Sequence, residues 1–527
     1  MDSRYNLLDE PWLAVRFKGG AVQAVGLRDA LHRSGEILSL ADTSPPSLVA
    51  QYRLLLAIVH RALVKSQGTW RNRDRAAWYR DGLPLGAISS YLDEWRSRFW
   101  VVHAEHPFLQ VAALATAEET RDKRKPWTQI SLASVNGNAP VVFDHALDDA
   151  PSAISWQQAV VNLLGFLQFT PGGLVKTLRD ADKAGPLVNT AAVLPIGPSL
   201  GHTLCLALHG PPLPSQPEPD LPAWEQAPLT IAQLRGEPVL ATGTDDRYTR
   251  QSRAVLLDVQ PDGQVQWLRF AAGRALGEDP QRPDPMACFR AGANGPVRVS
   301  FVEGRATWRD LPAIVPSPEG ASADGARTAE VVAAAAELQA VRGRSREYQP
   351  MLVAGLASDQ AKLLRWRVEQ FQLPQTLMAE PDRFQQLRLN LAQCEGLAKS
   401  LRALATELMA GTLPDPTSKD TRSRARDMVE QGPLISSFFS LAERALWPLM
   451  DRIAEDDADA ADLLWQRTLR DAARRSWDRQ LSMLGGSVLA LRADARCQPK
   501  LRRLLREQLP AAYAAGAPAD TTTTEGA

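Results

Sequence analysis

Hydrophobic and polar positions follow two patterns along the chain, and the first pattern occupies its N-terminal part. Alternating runs at residues 12–17 and 21–25 flank Gly19 and Gly20 and predict a β-hairpin, and residues 253–280 predict a second one. Apolar positions three and four residues apart predict helices at residues 47–64, 156–168 and 328–341. The N-terminal part is therefore predicted to mix helices and strands.

The second pattern is helical almost without interruption and begins near residue 381. Four amphipathic segments are predicted at residues 381–410, 421–455, 458–484 and 487–509. Such segments joined by short loops are typical of an up-and-down four-helix bundle. We therefore predict an α+β protein, in which a large mixed α/β N-terminal domain (1–375) precedes a C-terminal four-helix bundle (376–512) and a disordered tail (513–527).

Composition and charge place the chain among ordinary globular proteins. Its 527 residues carry no net charge, and 23% of them are charged, so any surface for nucleic acid must be local. Four cysteines lie far apart without a Cys-x-x-Cys pair, which argues against a zinc ribbon and fits a reducing cytoplasm. We expect a cytoplasmic protein, since the N-terminus shows no signal pattern and no uninterrupted apolar run approaches membrane length.

The segment from His103 to His106 is the nearest approach to a metal or hydrolase motif. It places two histidines and Glu105 within four residues, but their order is not His-Glu-x-x-His, and Pro107 blocks the helix that such a motif requires. No nucleophile accompanies it. We therefore predict no catalytic residue, no metal and no cofactor.

A local excess of positive charge lies in the C-terminal helices. Residues 463–510 contain eleven lysines and arginines against four acids. Arg467, Arg470 and Arg474 share one helix face, and with Arg475 they form a candidate phosphate track. A solvated helix face remains the alternative interpretation.

Two short stretches combine turn-forming and polar residues. Gly355, Ser358 and Asp359 predict a turn that presents Gln360, whose amide can read a polar edge or push between stacked bases. A polar turn without such a role is the alternative. Further upstream, two consecutive glycines at residues 172–173 permit a positive φ and close approach of the backbone to a ligand.

Six motifs occur in an order and spacing that resemble the CasA family, the large subunits of the type I-E CRISPR surveillance complex Cascade. They are Asn6-Leu7-Leu8-Asp9-Glu10-Pro11-Trp12, His103-Ala104-Glu105-His106-Pro107-Phe108, Val142-Phe143-Asp144-His145, Pro171-Gly172-Gly173, Asp284-Pro285-Met286 and Asp359-Gln360-Ala361. The resemblance covers nearly the whole chain.

This resemblance implies a protein without catalytic activity. Such a subunit inspects the protospacer-adjacent motif (PAM) in double-stranded target DNA, promotes duplex opening and R-loop formation, and helps to recruit a helicase-nuclease in antiviral defence. Its other partners are the 5′ handle of the CRISPR guide RNA and the other Cascade subunits. Guide pairing reads the target sequence in such complexes, while protein reads only the PAM.

The resemblance also implies roles for individual residues on the DNA. Gln360 matches a glutamine wedge inserted beside the PAM, and Asp359 lies next to it. Gly172 and Gly173 match a glycine loop that approaches the minor groove.

A basic finger and an RNA contact complete the implied site. The matching hairpin has no lysine for the finger and offers Arg269, or Arg274 in an alternate register. Phe143 matches an aromatic residue at the RNA handle. Two other classes of protein remain as alternatives, a structural helical scaffold of another nucleoprotein complex and a hydrolase that uses the histidines and acids.

Overall fold

The computed structural model describes residues 3–132, 150–173, 175, 177–211, 218–316, 325–343, 347–359 and 362–514, with the backbone alone at 357–359 and 362–365. The chain divides into two compact units, Met1–Gln375 and Thr376–Ala527. The first unit mixes strands and helices and the second is helical, which confirms the predicted fold class.

The strands all belong to the first unit and pair antiparallel wherever they are joined into sheets. They are β1 (Arg4–Asn6), β2 (Leu13–Phe17), β3 (Val22–Val25), β4 (Ile37–Leu40), β5 (Trp100–Val102), β6 (Lys125–Pro126), β7 (Ile154–Ser155), β8 (Ala192–Pro195), β9 (Arg253–Val259), β10 (Gln264–Ala272), β11 (Phe289–Arg290), β12 (Val297–Arg298), β13 (Tyr348–Asp359) and β14 (Lys362–Pro374). The hairpins β2–β3 and β9–β10 are those that the sequence predicts.

Helices occur in both units. They are α1 (Leu27–His32), α2 (Pro45–Gln67), α3 (Asn72–Asp81), α4 (Leu85–Glu94), α5 (Trp156–Phe169), α6 (Leu200–Ala207), α7 (Ile231–Arg235), α8 (Thr244–Thr249), α9 (Leu311–Ile314), α10 (Glu330–Arg342), α11 (Gln375–Ala379), α12 (Pro381–Ala410), α13 (Lys419–Gln431), α14 (Pro433–Glu443), α15 (Leu446–Ala454), α16 (Ala458–Met483) and α17 (Val488–Gln508).

Helix α2 is the core helix of the first unit. It starts with two prolines, whose fixed φ suits the first helical turn, and it ends at Gly68, whose φ is +75°. An 18-residue window of α2 has a mean hydropathy of 1.3 and is 89% buried in the protein. Since the same helix carries buried Arg53, His60 and Arg61, its apolar character reflects a core position in the first unit.

The second unit differs from the prediction in its second helical segment. The prediction of a single helix at residues 421–455 is wrong, because this segment forms three helices, α13, α14 and α15. Gly432 has an extended conformation (φ −81°, ψ 171°), and Pro433 then starts α14. Proline lacks the N–H that would continue the preceding helix. The other three segments form α12, α16 and α17 as single helices.

The core of the second unit is formed by apolar and aromatic side chains. Trp465 and Trp477 on α16 are fully buried, and the indole of Trp465 donates a hydrogen bond of 2.7 Å to the carbonyl oxygen of Asn390. The predicted tail begins too early at residue 513, since Tyr513 ends a 3-10 turn, Pro510–Tyr513. Residues 515–527 lie outside the described residues.

Candidate nucleic-acid interface

The hairpin of β13 and β14 is the longest paired element of the first unit. Its register runs from Tyr348 opposite Pro374 to Asp359 opposite Lys362, while β8 pairs with β13 only from Met351 to Ala354. The predicted wedge Gln360 lies outside the described residues, and so does the side chain of Asp359. Only residues 360 and 361 separate the two strands in the sequence.

Gly355 is not a turn residue, contrary to the prediction, because β13 continues through it to Asp359. A Cβ at this position would lie 2.4 Å from the carbonyl oxygen of Thr190 and 3.4 Å from Cε1 of Phe169. Glycine is therefore required by packing, and the same contact brings β13 against Phe169, the last residue of α5. Three residues after Phe169, the chain reaches Gly172.

Gly172 and Gly173, the glycine pair, follow α5 and differ in their surroundings. Gly173 has a φ of +152°, and no described atom lies within 4 Å of the position that a Cβ would take there, whereas a Cβ on Gly172 would lie 3.2 Å from the amide nitrogen of Ala184. Gly173 and Asp182 exchange backbone hydrogen bonds of 3.1 and 2.8 Å. One glycine thus packs on residues 182–184, and the other leaves an open backbone surface.

The buried carboxylate of Asp182 fixes the glycine pair to the end of β10. It accepts hydrogen bonds from the amide of Gly273 (2.8 Å) and from Arg179 (2.5 Å), and it lies 3.1 Å from Nη1 of Arg253. Arg253 also donates to the carbonyl oxygen of Pro171 at 2.6 Å. Burial lowers the pKa of Arg253, and the charge of Asp182 opposes this effect. These bonds give the loop a preformed base.

The two candidate finger residues lie in different surroundings. Arg274 follows Gly273, and its guanidinium donates to the Gln226 side chain at 2.5 Å. Arg269 lies within β10, and its guanidinium donates to the carbonyl oxygen of Arg121 at 3.1 and 3.2 Å. The backbone of Arg274 therefore lies beside the glycine pair, whereas Arg269 joins the basic run at residues 121–125.

Lys183 is a cation beside the glycine pair that the sequence analysis missed. It follows Asp182 directly, its side chain is exposed, and it forms no ion pair with any residue that the structure describes. A single lysine in a polar loop gives no periodic signal. The backbone bridge between Gly173 and Asp182 is what identifies its position.

The basic run at residues 121–125 lies beside β10, because Lys125 of β6 pairs with Leu268. Two of its cations have acidic neighbours, with Arg121 at 2.9 Å from Asp122 and Arg124 at 3.5 Å from Asp258. Phe143, the predicted contact to the RNA handle, lies outside the described residues.

A cavity of about 560 Å³ is lined by residues that suit a planar polar group. Trp12, Trp127 and Trp366 line it together with amide side chains that include Gln51. The indole nitrogen of Trp366 and the amide oxygen of Gln51 have no hydrogen-bond partner among the described residues. The indoles of Trp12 and Trp127 are themselves buried and donate to the carbonyl oxygens of Leu7 (3.0 Å) and Ser152 (2.7 Å).

The candidate phosphate track on α16 is divided into two parts. Arg470 donates to the carbonyl oxygen of Ala512 (3.0 Å), and Arg474 lies 3.4 Å from the hydroxyl of Tyr513. Arg467 and Arg475 are exposed and form no ion pair with the residues that the structure describes. Of the four arginines in the candidate track, Arg467 and Arg475 are thus the two whose side chains form no hydrogen bond or ion pair with the described residues.

The segment with His103 and His106 forms a bend that is held by local hydrogen bonds. Nδ1 of His103 accepts hydrogen bonds from the amides of Glu105 and His106, at 3.1 and 2.9 Å. Burial, followed by the neighbouring charge of Arg98, lowers the pKa of His106. The ring nitrogens of this segment thus serve local hydrogen bonds.

A different group of side chains has the composition of a metal site. His60, His209 and Asp245 are all buried, and one ligand atom from each lies within 4.8 Å of the others. Sequence reasoning missed them because up to 185 residues separate them along the chain. No spacing rule connects residues that only the fold brings together.

Comparisons with known proteins agree with this fold. A family model described as CRISPR-associated protein Cse1 matches residues 6–476. A CRISPR-associated protein CasA/Cse1 from Thermus thermophilus is 33% identical over 514 residues, which are 96% of this chain and 98% of that protein.

Solved structures show the same similarity. The structure of Thermus thermophilus CasA (Cse1) matches with a TM-score of 0.80 and 30% identity, over 96% of this chain and 100% of that chain. A chain in the structure of a CRISPR RNA-guided surveillance complex matches with a TM-score of 0.68 and 22% identity, over 95% and 100% of the two chains. The resemblance noted in the sequence is confirmed, and this chain belongs to the CRISPR-associated Cse1 (CasA) family.

Proposed function

We propose that this chain is the non-catalytic large subunit of a type I-E CRISPR surveillance complex, and that it recognises the PAM in double-stranded DNA and starts duplex opening. The observation that carries the proposal is the rigid base of the glycine pair, formed by Asp182 and Arg253, with exposed Lys183 beside it. Membership of the Cse1 family and the occurrence of this fold in an RNA-guided surveillance complex support it.

The glycine pair suits the minor groove of DNA. This groove is narrow and its hydrogen-bond pattern is degenerate, so a reader there needs a close backbone and few side chains. Gly173 offers its backbone without a Cβ, and the bonds of Asp182 hold it in place before DNA arrives. Such a preformed base reduces the entropy that is lost on binding.

Lys183 is the cation that we assign to the DNA backbone beside this loop. It is exposed and without an ion-pair partner among the described residues, whereas Arg274 already binds Gln226. A phosphate contact contributes affinity for all sequences and makes binding dependent on salt. Arg269 and the basic run at residues 121–125 form a second cationic surface.

Gln360 is proposed as the wedge beside the PAM, and Asp359 as its neighbour. Opening the first base pair costs a few kcal/mol of unstacking, which an inserted side chain can offset. The exchange of DNA pairing for guide pairing is otherwise nearly balanced, so this contact matters at initiation. Loss of the wedge should slow R-loop formation on intact duplex far more than on DNA already unpaired there.

The guide RNA handle is proposed to bind near Phe143. An aromatic residue that stacks on a base contributes about 1–3 kcal/mol by alanine substitution. We propose that the basic run at residues 121–125 supplies phosphate contacts to the handle. The cavity that Trp12, Trp127 and Trp366 line, together with Ser131 and Leu132, is the proposed place for a base. Other Cascade subunits, a recruited helicase-nuclease and a cytoplasmic location complete the proposal.

The decisive experiment measures R-loop formation by the reconstituted complex on a duplex library with randomised PAM positions. Gly173→Asp and Lys183→Ala should weaken PAM-dependent binding, while pairing of the guide with a single-stranded target stays unchanged. Gly20→Asp and Lys18→Ala are matched controls, because Gly20 also has a positive φ (+89°) with no described atom near its Cβ position, and Lys18 is also exposed. If PAM-dependent binding were weakened equally in the test and control variants, the roles assigned to Gly173 and Lys183 would be wrong.

A second measurement tests the absence of catalysis. The isolated chain should show no nuclease, ATPase or hydrolase activity with or without divalent metal. Metal-dependent cleavage that disappears in His103→Ala or His106→Ala would contradict the proposal.

Arg467→Ala combined with Arg475→Ala should reduce the salt dependence of DNA binding. If the salt dependence is unchanged, this face of α16 is solvated and does not contact DNA.

A further inference from the structure

Three buried side chains from distant parts of the first unit converge on one point. His60 lies on α2, His209 follows α6, and Asp245 lies in the first turn of α8; their side chains are at most 4% exposed. Nδ1 of His60 is 2.6 Å from Oδ2 of Asp245, and Nε2 of His209 is 3.7 Å from Oδ1 of the same carboxylate. The rings of His60 and His209 stack with centroids 3.8 Å apart.

The hydrogen bonds of His60 show that this site needs a cation. Nε2 of His60 is 3.0 Å from the carbonyl oxygen of Gly210, which can only accept, so Nε2 carries a hydrogen. In the neutral ring, Nδ1 would then present its lone pair to the carboxylate of Asp245. Such a contact is repulsive unless a proton or a metal ion lies between the two atoms. A histidine that donates one ring N–H to a backbone carbonyl and offers the other nitrogen is the usual arrangement of a metal ligand.

A proton alone leaves too many polar atoms unsatisfied. Both ring nitrogens of His209 and Oδ1 of Asp245 are buried without a hydrogen-bond partner among the described residues. A buried polar atom without a partner costs about 1–3 kcal/mol, and a proton between His60 and Asp245 satisfies none of these. A metal ion would engage a nitrogen of His209 and the carboxylate together.

The balance of charge also favours a divalent ion. Asp220 is a second buried carboxylate, and it accepts the amides of Asp245 and Asp246 at 2.8 and 2.9 Å. It forms no ion pair with the described residues, and the nearby Arg61 is paired with Glu225. Two carboxylates therefore share the region, and among the described residues only two histidines, His60 and His209, form ion-pair contacts with either of them. A divalent metal would neutralise both charges.

We propose that His60 Nδ1, His209 Nε2 and the carboxylate of Asp245 bind one divalent transition-metal ion of the zinc class. Imidazole with one carboxylate is a ligand set that zinc accepts, at bond lengths of about 2.0–2.2 Å. Binding would widen the contact between Nδ1 and Oδ2 to roughly 3.4 Å, the ligand separation of a tetrahedral site, and would turn the stacked rings apart. The ion would tie α2 to α8 and to the segment that follows α6. This inference is independent of DNA recognition.

The test uses the full-length chain and zinc. The protein is unfolded with a chelator, refolded with or without added Zn²⁺, desalted and analysed for metal content and thermal stability. The refolded protein should retain about one zinc ion per chain and melt at a higher temperature than the metal-free sample. Co²⁺ in place of Zn²⁺ should give visible absorption bands when it binds to these three ligands.

Variants locate the ion. His209→Gln and Asp245→Asn should each reduce retained zinc about tenfold. The control His202→Gln should retain it in full, because His202 lies in the same unit and binds Ser199. If the folded wild-type protein retains less than about a tenth of an equivalent and gives no Co²⁺ bands, the proposal is wrong whether or not the variants fold. Equal zinc in the wild type and His209→Gln would also overturn it.

Discussion

Helix α2 of the first unit and helix α16 of the second unit differ in where they place their charged side chains. Helix α2 buries Arg53, His60 and Arg61, whose acidic partners lie 231, 185 and 164 residues away in the sequence. Helix α16 instead buries Trp465 and Trp477 and turns its arginines outward. The first unit therefore uses buried polar contacts to select which distant segments meet, whereas the second relies on apolar packing along helices.

This difference has an energetic consequence. A buried ion pair contributes little net stability compared with apolar residues of the same shape, but breaking it is costly because one charge remains unpaired. Apolar packing is tolerant of changes that conserve volume. A substitution that keeps shape but changes charge should therefore damage the first unit, and one that keeps volume should be mild in the second.

The largest effect is expected for Asp284→Asn in the first unit. Asp284 and Arg53 are both fully buried, with a contact of 2.9 Å between Oδ2 and Nη2. Neutralising the carboxylate leaves a buried guanidinium and should cost about 3–5 kcal/mol in the free energy of unfolding, measured in urea. The control Asp471→Asn removes a largely exposed partner of Arg470 and should cost under about 1 kcal/mol. Similar losses in both variants would contradict the comparison.

Leu469 tests the second unit in the same way. This residue is fully buried on α16. Leu469→Ala should cost about 2–5 kcal/mol because a cavity remains, while Leu469→Met, which conserves volume, should cost less than about 1.5 kcal/mol. Thermal unfolding of the full chain measures both. A methionine variant as unstable as the alanine variant would show that this core tolerates change no better than the buried ion pairs of α2.

Two glycines sharpen the comparison further. Gly355→Ala should destabilise the first unit by about 1–3 kcal/mol, since the new Cβ would press on the carbonyl oxygen of Thr190. Gly396→Ala, on an exposed face of α12 with no described atom within 4 Å of its Cβ, should stabilise the second unit by about 0.5–1 kcal/mol. We expect urea unfolding to show changes of opposite sign in the free energy of unfolding of the two variants. A stable Gly355→Ala would show that β13 can move away from Thr190.

The smallest effect concerns pH. Burial lowers the pKa of His209 in the folded protein. Below about pH 6.5 the unfolded chain therefore binds a proton that the folded chain does not. The free energy of unfolding should decrease as the pH decreases in this range. Burial alone would lower the pKa of His60, but the charge and hydrogen bond of Asp245, the Gly210 carbonyl and the charge of Asp220 together raise it. This shift acts in the opposite direction and stabilises the fold at low pH. In the presence of a chelator, the free energy of unfolding decreases between pH 6.5 and 5, and His209→Gln should make this decrease smaller by about 1 kcal/mol. An unchanged pH slope would mean that His209 titrates normally.

Local patterns predicted those parts of the fold that depend on local contacts. The spacing of apolar positions identified α2 and α5, and paired glycines identified the turn between β2 and β3. The break between α13 and α14 had a local signal in Gly432 and Pro433, which the continuing periodicity outweighed. Gly355 could not be placed correctly, because the reason for it is a carbonyl oxygen 165 residues upstream, at Thr190.

The candidate site shows the same division. Gly172 and Gly173 could be selected from the sequence, since consecutive glycines permit unusual backbone geometry. Lys183 and the group around Asp245 could not, because only tertiary contacts give them their positions. The roles of Gln360 and Phe143 stay predictions, as both residues lie outside the described residues.

The unequal support of β13 by β8 has a mechanical consequence. The pairing of β8 with β13 ends at Ala354. Gly355 and Leu356 follow and are still buried, and the last three residues of β13, at 357–359, pair with β14. At about 3.3 Å per residue, residues 357–359 add roughly 10 Å beyond the buried part of the strand. This end resembles a cantilever that is clamped at Gly355 and Leu356, with its stiffness supplied by backbone pairing. Substitutions beyond residue 357 should therefore leave the pairing of β13 with β8 and the packing of Gly355 unchanged.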